Sequence, residues 1–568
     1  MKFAWLGLAA FAGCVDIPIA AESAGSSETS GTGSSGGEAP TTGEETAEPP
    51  DCMHGEQRDC FTGPPGSEPV APCAPGSQTC RANRTWGSCH GSVLPTRQDC
   101  ATPEDETCSG AGPVCAGAPA WLRAFTLTEA SQFGEAIAAS ALAIAPDGDI
   151  VATGTYQGSI TIAGDTHTAS SDADIWVARF TAVGNPRWFR SFAGTGDPGF
   201  SAWGAPWSAG NIVFSTGSDI ILTSKCLVDF DFGTGPLVGD VLDPVVIRMT
   251  ATGEVKWARR FVGVTNGESG RYSLYVAARS DGALWLATTL AEPDADLGGG
   301  PLSTAGWGDL LLAQFGPDGA HRWSRRHGDP GHQEVQSIAL TPDDGLVLTG
   351  TLEGALDLGL GSMLSAGTQD AWVARLDADG APVWQHRYGD PYAQRGVGVQ
   401  VDADGGVVLA GDFEGTIDLG GGPLSGATGT SEWEPGPVLL TAPFVAQLDR
   451  NGVHVWSRAL GGADGSSSAR SFARGSDGTL VLTGSGPIDA SFTGDVWPGD
   501  AEDGGWIATL AADGSARWLQ RGVGDSRATI SVMGSVIATW DITTAVEFAT
   551  VPLGAPDLGS FVLGSFGP

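Results

Sequence analysis

The sequence predicts an all-β chain whose main body is a seven-bladed β-propeller of four-stranded antiparallel blades. Three observations predict it. A tryptophan recurs every 61–72 residues through most of the chain. Asp-Gly and Asn-Gly dipeptides, which tolerate positive φ, stand between paired apolar runs. Glycine supplies 86 of 568 residues, about double the usual ~7%, as a fold made of tight turns requires.

The recurring residues are Trp121, Trp188, Trp257, Trp323, Trp384, Trp456 and Trp518. Two positions later the residue is mostly basic (Arg123, Arg190, Arg259, Arg325, Arg458), and two later again mostly aromatic (Phe125, Phe192, Phe261, Tyr388). This period of two puts Trp, base and aromatic on one face of a strand. Upstream of each Trp lies an apolar run such as 371–376, joined to it by a turn such as Asp379-Gly380. A second hairpin precedes that one, with return strands such as 346–350 and 480–484. Four strands, A to D, make one blade. The period exceeds the ~40–45 residues of WD-type blades. The excess lies between strands B and C, in Gly-rich stretches such as 353–359 and 414–420.

The ends of the repeat region set the expected count. It opens on a lone D strand, 119–126, and its last segment, 561–566, reads as a C strand. Pairing of the two closes the ring and leaves no free sheet edge. Six continuous blades and one composite blade make the expected seven.

Three segments precede this body. Residues 1–14 read as an export signal: Lys2 precedes an apolar run ending in Phe11-Ala12-Gly13-Cys14, too short for the ~20 residues of a membrane span. That ending resembles the lipobox of bacterial lipoproteins, in which the Cys is acylated, with Phe11 where the family usually has Leu. The resemblance implies lipid attachment at Cys14 and an outer-membrane or cell-surface location. The alternative is a secreted chain cut near Ala20 or Ala21. Residues 15–50 form a linker, from 22 onward only Gly, Ser, Thr, Glu, Ala and Pro, which buries too little to offset its ordering entropy and is expected to be disordered. Residues 51–117 hold Cys52, Cys60, Cys73, Cys80, Cys89, Cys100, Cys108 and Cys115. Eight Cys in a loop-rich exported segment imply disulfides, with 105 connectivities open.

Two further resemblances concern whole segments. Residues 55–64, 76–80 and 86–89 resemble a Cys-rich module that precedes repeat domains in exported myxobacterial proteins. Residues 118–568 resemble the bacterial β-propeller repeat family, best in 335–425, through Asp-Gly, a Val-Leu-Thr-Gly-type strand, Gly-x-Ile/Leu-Asp-Leu-Gly, an Ala-Trp-Val-Ala-Arg-Leu-type strand and Trp. These resemblances imply an exported scaffold and no reaction.

No HExxH, phosphate-binding GxxxxGK[ST] or nucleophile elbow stands in a fitting context. A net charge of −37 disfavours nucleic acid and anionic membrane surfaces. Acids that recur with the repeat, Asp231, Asp296, Asp357 and Asp418, suit Asx turns. His327 and His332 around Asp329 are the best metal-ligand pair, although His327 fills an aromatic slot. Candidate binding residues are Asp197, Asp329 and Asp390 of the Gly-Asp-Pro loops after strand D, and Glu432, Trp433 and Glu434 in the largest insertion. No cofactor or metal is expected, a calcium ion being the alternative; a cation held by the ring of Gly-Asp-Pro loops stands against their simple role in turns. The expected protein is a monomeric non-enzyme, a lipid-anchored scaffold binding a protein or glycan. The alternatives are a hydrolase or lyase using channel carboxylates, and a purely structural envelope protein.

Overall fold

In the computed structural model, the Leu-Val-Leu-Thr-Gly run of the fourth repeat becomes the second strand of a four-stranded antiparallel sheet, buried throughout Leu346–Leu352. The structure describes residues 52–60, 75–86, 88–91, 119–129, 137–162, 164–169, 174–193, 211–226, 229–238, 243–264, 273–292, 295–426, 428–430, 437–460, 466–486, 505–522, 526–530, 536–542, 546–548, 551–553 and 560–566. Among them there is no helix. The chain divides into two units, 1–115 and 116–568.

In the first unit, Gln57–Cys60 pairs antiparallel with Gly76–Thr79. Cys52–Cys80 and Cys60–Cys89 are disulfides, with Cα–Cα distances of 5.9 and 5.8 Å. The Arg58 guanidinium lies 4.1 Å from the centroid of the Trp86 ring. So small a sheet has almost no core, and crosslinks of this kind restrict its unfolded states. Cys73, Cys100, Cys108 and Cys115 lie outside the described residues.

The second unit is the propeller, and its count departs from expectation: among the described residues there are six four-stranded blades, not seven. From A to D, blade 1 is Ile137–Ile144, Ile150–Tyr156, Asp174–Phe180 and Pro186–Phe192. Blade 2 is Ile212–Phe214, Ile220–Cys226, Asp243–Met249 and Val255–Arg260. Blade 3 is Tyr275–Ala278, Leu284–Leu290, Asp309–Phe315 and His321–His327. Blade 4 is His332–Leu340, Leu346–Glu353, Asp370–Leu376 and Pro382–Tyr388. Blade 5 is Gln394–Val401, Val407–Phe413, Ala442–Leu448 and His454–Ala459. Blade 6 is Ser468–Arg474, Leu480–Ser485, Gly505–Leu510 and Ala516–Gly522.

Besides two-stranded ribbons in the loops, a further sheet has six strands, in the order Ser526–Ile530, Val536–Ile542, Ser560–Phe566, Pro119–Glu129, Ser159–Ile162 and Asp165–Thr168. The physical reason is the length of Pro119–Glu129. Pro119 to Thr126 pairs with Ser560–Phe566, joining the two ends of the repeat region. The strand then runs on, and Leu127 and Glu129 pair with Ile160 and Ser159, drawing in the hairpin that leaves strand B of blade 1. The A strands of the six blades and Ser526–Ile530 contact one another in succession and close a ring.

Strands B and C are buried on both faces, and the core lies between successive blades. The repeated Trp residues seal these contacts. Trp188, Trp257 and Trp384 donate Nε1–H to Ala251, Pro317 and Arg450 carbonyls in the C–D turn of the next blade, at 3.1–3.2 Å. Arg179, Arg248 and Arg375 of strand C donate to the same three carbonyls at 2.8–2.9 Å. The turn glycine lies on the ring: a Cβ at Gly319, where φ is 79°, would sit 3.2 Å from Trp257. The Asp-Gly pairs therefore both make the hairpins and let one blade approach the next.

Candidate functional site

In antiparallel blades the A–B and C–D turns share one end of the strands, and the B–C and D–A connections share the other. The second end carries the longer excursions and nearly all the predicted site residues. Its B–C loops are built alike. The Oδ1 atoms of Asp231, Asp296, Asp357 and Asp418 each accept the N–H of the glycine two residues on, at 2.7–2.8 Å, and of the glycine four residues on, at 3.0–3.1 Å. Those glycines have φ of 89–118°, which other residues rarely adopt. The four aspartates thus make Asx turns.

Asp329 and Asp390 hold the D–A loops. Asp329 accepts the N–H of Gly331 at 2.8 Å, the N–H of Ala355 at 2.9 Å and Nε2–H of Gln333 at 2.7 Å. Asp390 accepts from Tyr392 N at 2.9 Å, Gln394 Nε2 at 2.6 Å, and both N and Oγ1 of Thr416 at 2.8 and 2.9 Å. Burial pushes the Asp390 carboxyl up, but these hydrogen bonds outweigh it and hold the pKa below the usual value. Both carboxylates join a D–A loop to a B–C loop. Asp197, Glu432, Trp433 and Glu434 lie outside the described residues.

Among the described residues His327, Asp329 and His332 do not come together as a metal-binding group. His327 Nδ1 lies 3.2 Å from the Asp357 carbonyl, and burial is the main cause that lowers its pKa. The loop end is stiffened underneath by buried ion pairs. Asp243, Asp309 and Asp370, each 0% exposed, start their C strands and accept from Arg260, Arg326 and Arg387 of strand D at 3.0, 2.9 and 2.5 Å.

Sequence reasoning missed two features at this end. Trp307 is 83% exposed in the B–C loop of blade 3, its backbone N–H donated to the Gly331 carbonyl at 3.3 Å. Blade 4 has Thr368 at the corresponding place, where Gly367 packs on Pro391 as Gly306 packs on Pro330. The second feature is Asp412, 1% exposed near the end of strand B in blade 5. At this register blades 1, 3, 4 and 6 have Thr155, Thr289, Thr351 and Ser485, blade 2 has Lys225, and the sheet that joins the two ends has Asp541. Asp412 lies opposite Arg395 of strand A and accepts its Nη2–H at 2.9 Å. It also accepts the N–H of Ala469, from strand A of blade 6, at 2.7 Å. Burial pushes the Asp412 carboxyl up to about 6, against the opposing pull of Arg395, Arg470 and the Ala469 N–H. A carboxylate where four blades have a hydroxyl was the available signal. The gap between blades at Val246, Trp257, Phe261, Leu284 and Phe315 has room for about one water molecule.

No protein-family model matches the chain, and no curated protein matches it. Solved structures do. An ulvan lyase of a polysaccharide lyase family is similar at 9% identity, over 77% of this chain and 93% of its own, with a TM-score of 0.36. A puromycin hydrolase is similar at 13% identity, over 72% of this chain and 51% of its own, with a TM-score of 0.36. Prolyl oligopeptidase B from Galerina marginata is similar at 10% identity, over 73% of this chain and 47% of its own, with a TM-score of 0.33. At these values none assigns an activity to this chain. The expectation of a non-enzyme is withdrawn, because the chains similar to this one include a polysaccharide lyase and peptidases. The physical reason is that groups brought together from separate loops leave no contiguous motif, so a missing motif does not exclude a reaction.

Proposed function

We propose that this chain is an exported envelope lipoprotein, lipid-anchored through Cys14, whose propeller holds a protein or glycan ligand at the end bearing the B–C and D–A loops. Trp307 carries the reading. An indole exposed to 83% on a loop tied to its neighbour offers a flat apolar face at little entropic cost, the form that sugar rings and protein side chains pack against. The buried Asp–Arg pairs and Asx turns beneath it supply a rigid base. The disulfides of the first unit suit an oxidising compartment. The charge of −37 disfavours nucleic acid, and the chain is proposed to act as a monomer whose only membrane contact is the anchor. The bacterial propeller repeat family, which the repeat resembles, fits the same reading.

The test is binding of the purified protein to arrayed neutral glycans and envelope proteins. Trp307→Ala should lose binding by tenfold or more, as expected for a central aromatic contact, while keeping its melting temperature. Equal binding by variant and parent would remove the support for this reading. Fatty-acid labelling, lost in Cys14→Ser, checks the anchor separately.

A further inference from the structure

The inner strands of the ring carry an unequal charge. Those of blades 1, 2 and 3 carry no Lys, Arg, Asp or Glu, and that of blade 4 carries Glu334. The next three in order carry Arg395, then Arg470 and Arg474, then Arg527, with no acid among them. This concentration of bases occurs in a chain with 66 acidic and 29 basic residues. Arg179, Arg248 and Arg375 of strand C, by contrast, are tied to carboxylates and to carbonyls of the next blade.

Asp412 shows how the arc is built. It is sunk beneath the surface, anchoring Arg395 from below and the Ala469 N–H from the side. One Nη of Arg395 is committed to this pair, and the side chain remains 40% exposed. Arg470 follows Ala469 directly and is the extra residue of a β-bulge between Ala469 and Ser471. Bulges re-aim side chains out of the regular alternation. Arg470 is exposed, within electrostatic reach of Asp412, and makes no hydrogen bond or ion pair among the described residues. Two guanidiniums over one buried carboxylate leave a single surplus positive charge with unused donors.

We propose that Arg395 and Arg470, set by Asp412 at the junction of blades 5 and 6, form a site for one small oxyanion: a carboxylate, sulfate or phosphate group. The planar guanidinium fork matches such groups and binds them through charge-assisted hydrogen bonds. The acidic exterior repels extended polyanions, so the ligand is a small molecule or a single anionic substituent. Arg395 and Arg470 bind, and Asp412 positions them. The site is separate from Trp307, and it stands or falls independently of the ligand proposed there.

The test is calorimetric titration of the full chain, at low ionic strength and neutral pH, with inorganic sulfate, inorganic phosphate and glucuronate as separate probes. Saturable binding of at least one probe at one site per chain is expected, and the preferred probe identifies the source. Arg470→Ala should weaken it about tenfold or more, and Arg470→Lys should weaken it less. Arg450→Ala, which changes a side chain in the C–D turn at the opposite end, should leave it unchanged. Because Arg470 has no structural partner, Arg470→Ala is expected to melt as the parent does. Absence of binding by all three probes, or equal affinity in Arg470→Ala, overturns the proposal.

Discussion

Replacing Asp412 with Asn removes a carboxyl that the folded chain ionises only at a cost. In the native protein burial pushes it up to about 6 from an ordinary 3.8, despite Arg395 and the Ala469 N–H. At 1.36 kcal/mol per pKa unit that rise amounts to about 3 kcal/mol. The sign follows from linkage. The folded state holds this proton more tightly than the unfolded state, so the contribution is full below about pH 4 and is lost as pH rises through about 6. Asn does not titrate. The stability of Asp412→Asn relative to the parent should therefore climb by about 2 kcal/mol between pH 4 and pH 7 and stay level above it. Urea unfolding of both proteins at pH 4, 5, 6 and 7 measures this, because the other acids cancel in the difference. A difference constant across the range, or one that falls with pH, would refute the burial argument for this residue.

Two predictions bear on the scaffold. Gly319→Ala places a Cβ against the Trp257 ring at a φ of 79° and should cost about 1–3 kcal/mol, read as a lower urea midpoint. Ser215 takes no part in that contact, and Ser215→Ala should leave the blade 2–blade 3 junction intact by hydrogen exchange. Asp357→Ala deletes the acceptor of two loop N–H groups at 2.7 and 3.1 Å. It should cost about 1–2 kcal/mol and open 357–361 to proteolysis, which limited digestion followed by mass spectrometry detects.

The repeat was legible because each part has a local cause. Asp-Gly demands a turn, the buried B strand demands a continuous apolar run, and the D-strand Trp demands a neighbouring blade. The pairing of 119–126 with 560–566 was legible for the same reason, since each lone strand left an unmatched edge. The blade count was misread because nothing in Leu127-Thr128-Glu129 announces that this strand outruns its partner and captures Ser159–Ile162. Asp329 and Asp390 were legible as loop residues, but their roles as acceptors depend on Gln333 and Gln394, whose side chains could not be placed from spacing alone. Arg395, Asp412 and Arg470 stand on three strands of two blades, so no motif joins them. Trp307 was hidden between two glycines in a stretch that reads as a turn.

The pairing of the two ends of the propeller unit is tested most directly by a crosslink. Ala124 and Val562 are Cα partners across the strands that join them. The double variant Ala124→Cys with Val562→Cys should form an intramolecular disulfide on mild oxidation. Peptide mapping should recover it as one crosslinked fragment, and the melting temperature should rise reversibly with oxidation. Recovery of both cysteines as free thiols from the folded, oxidised protein would contradict the closure on which the whole arrangement of blades depends.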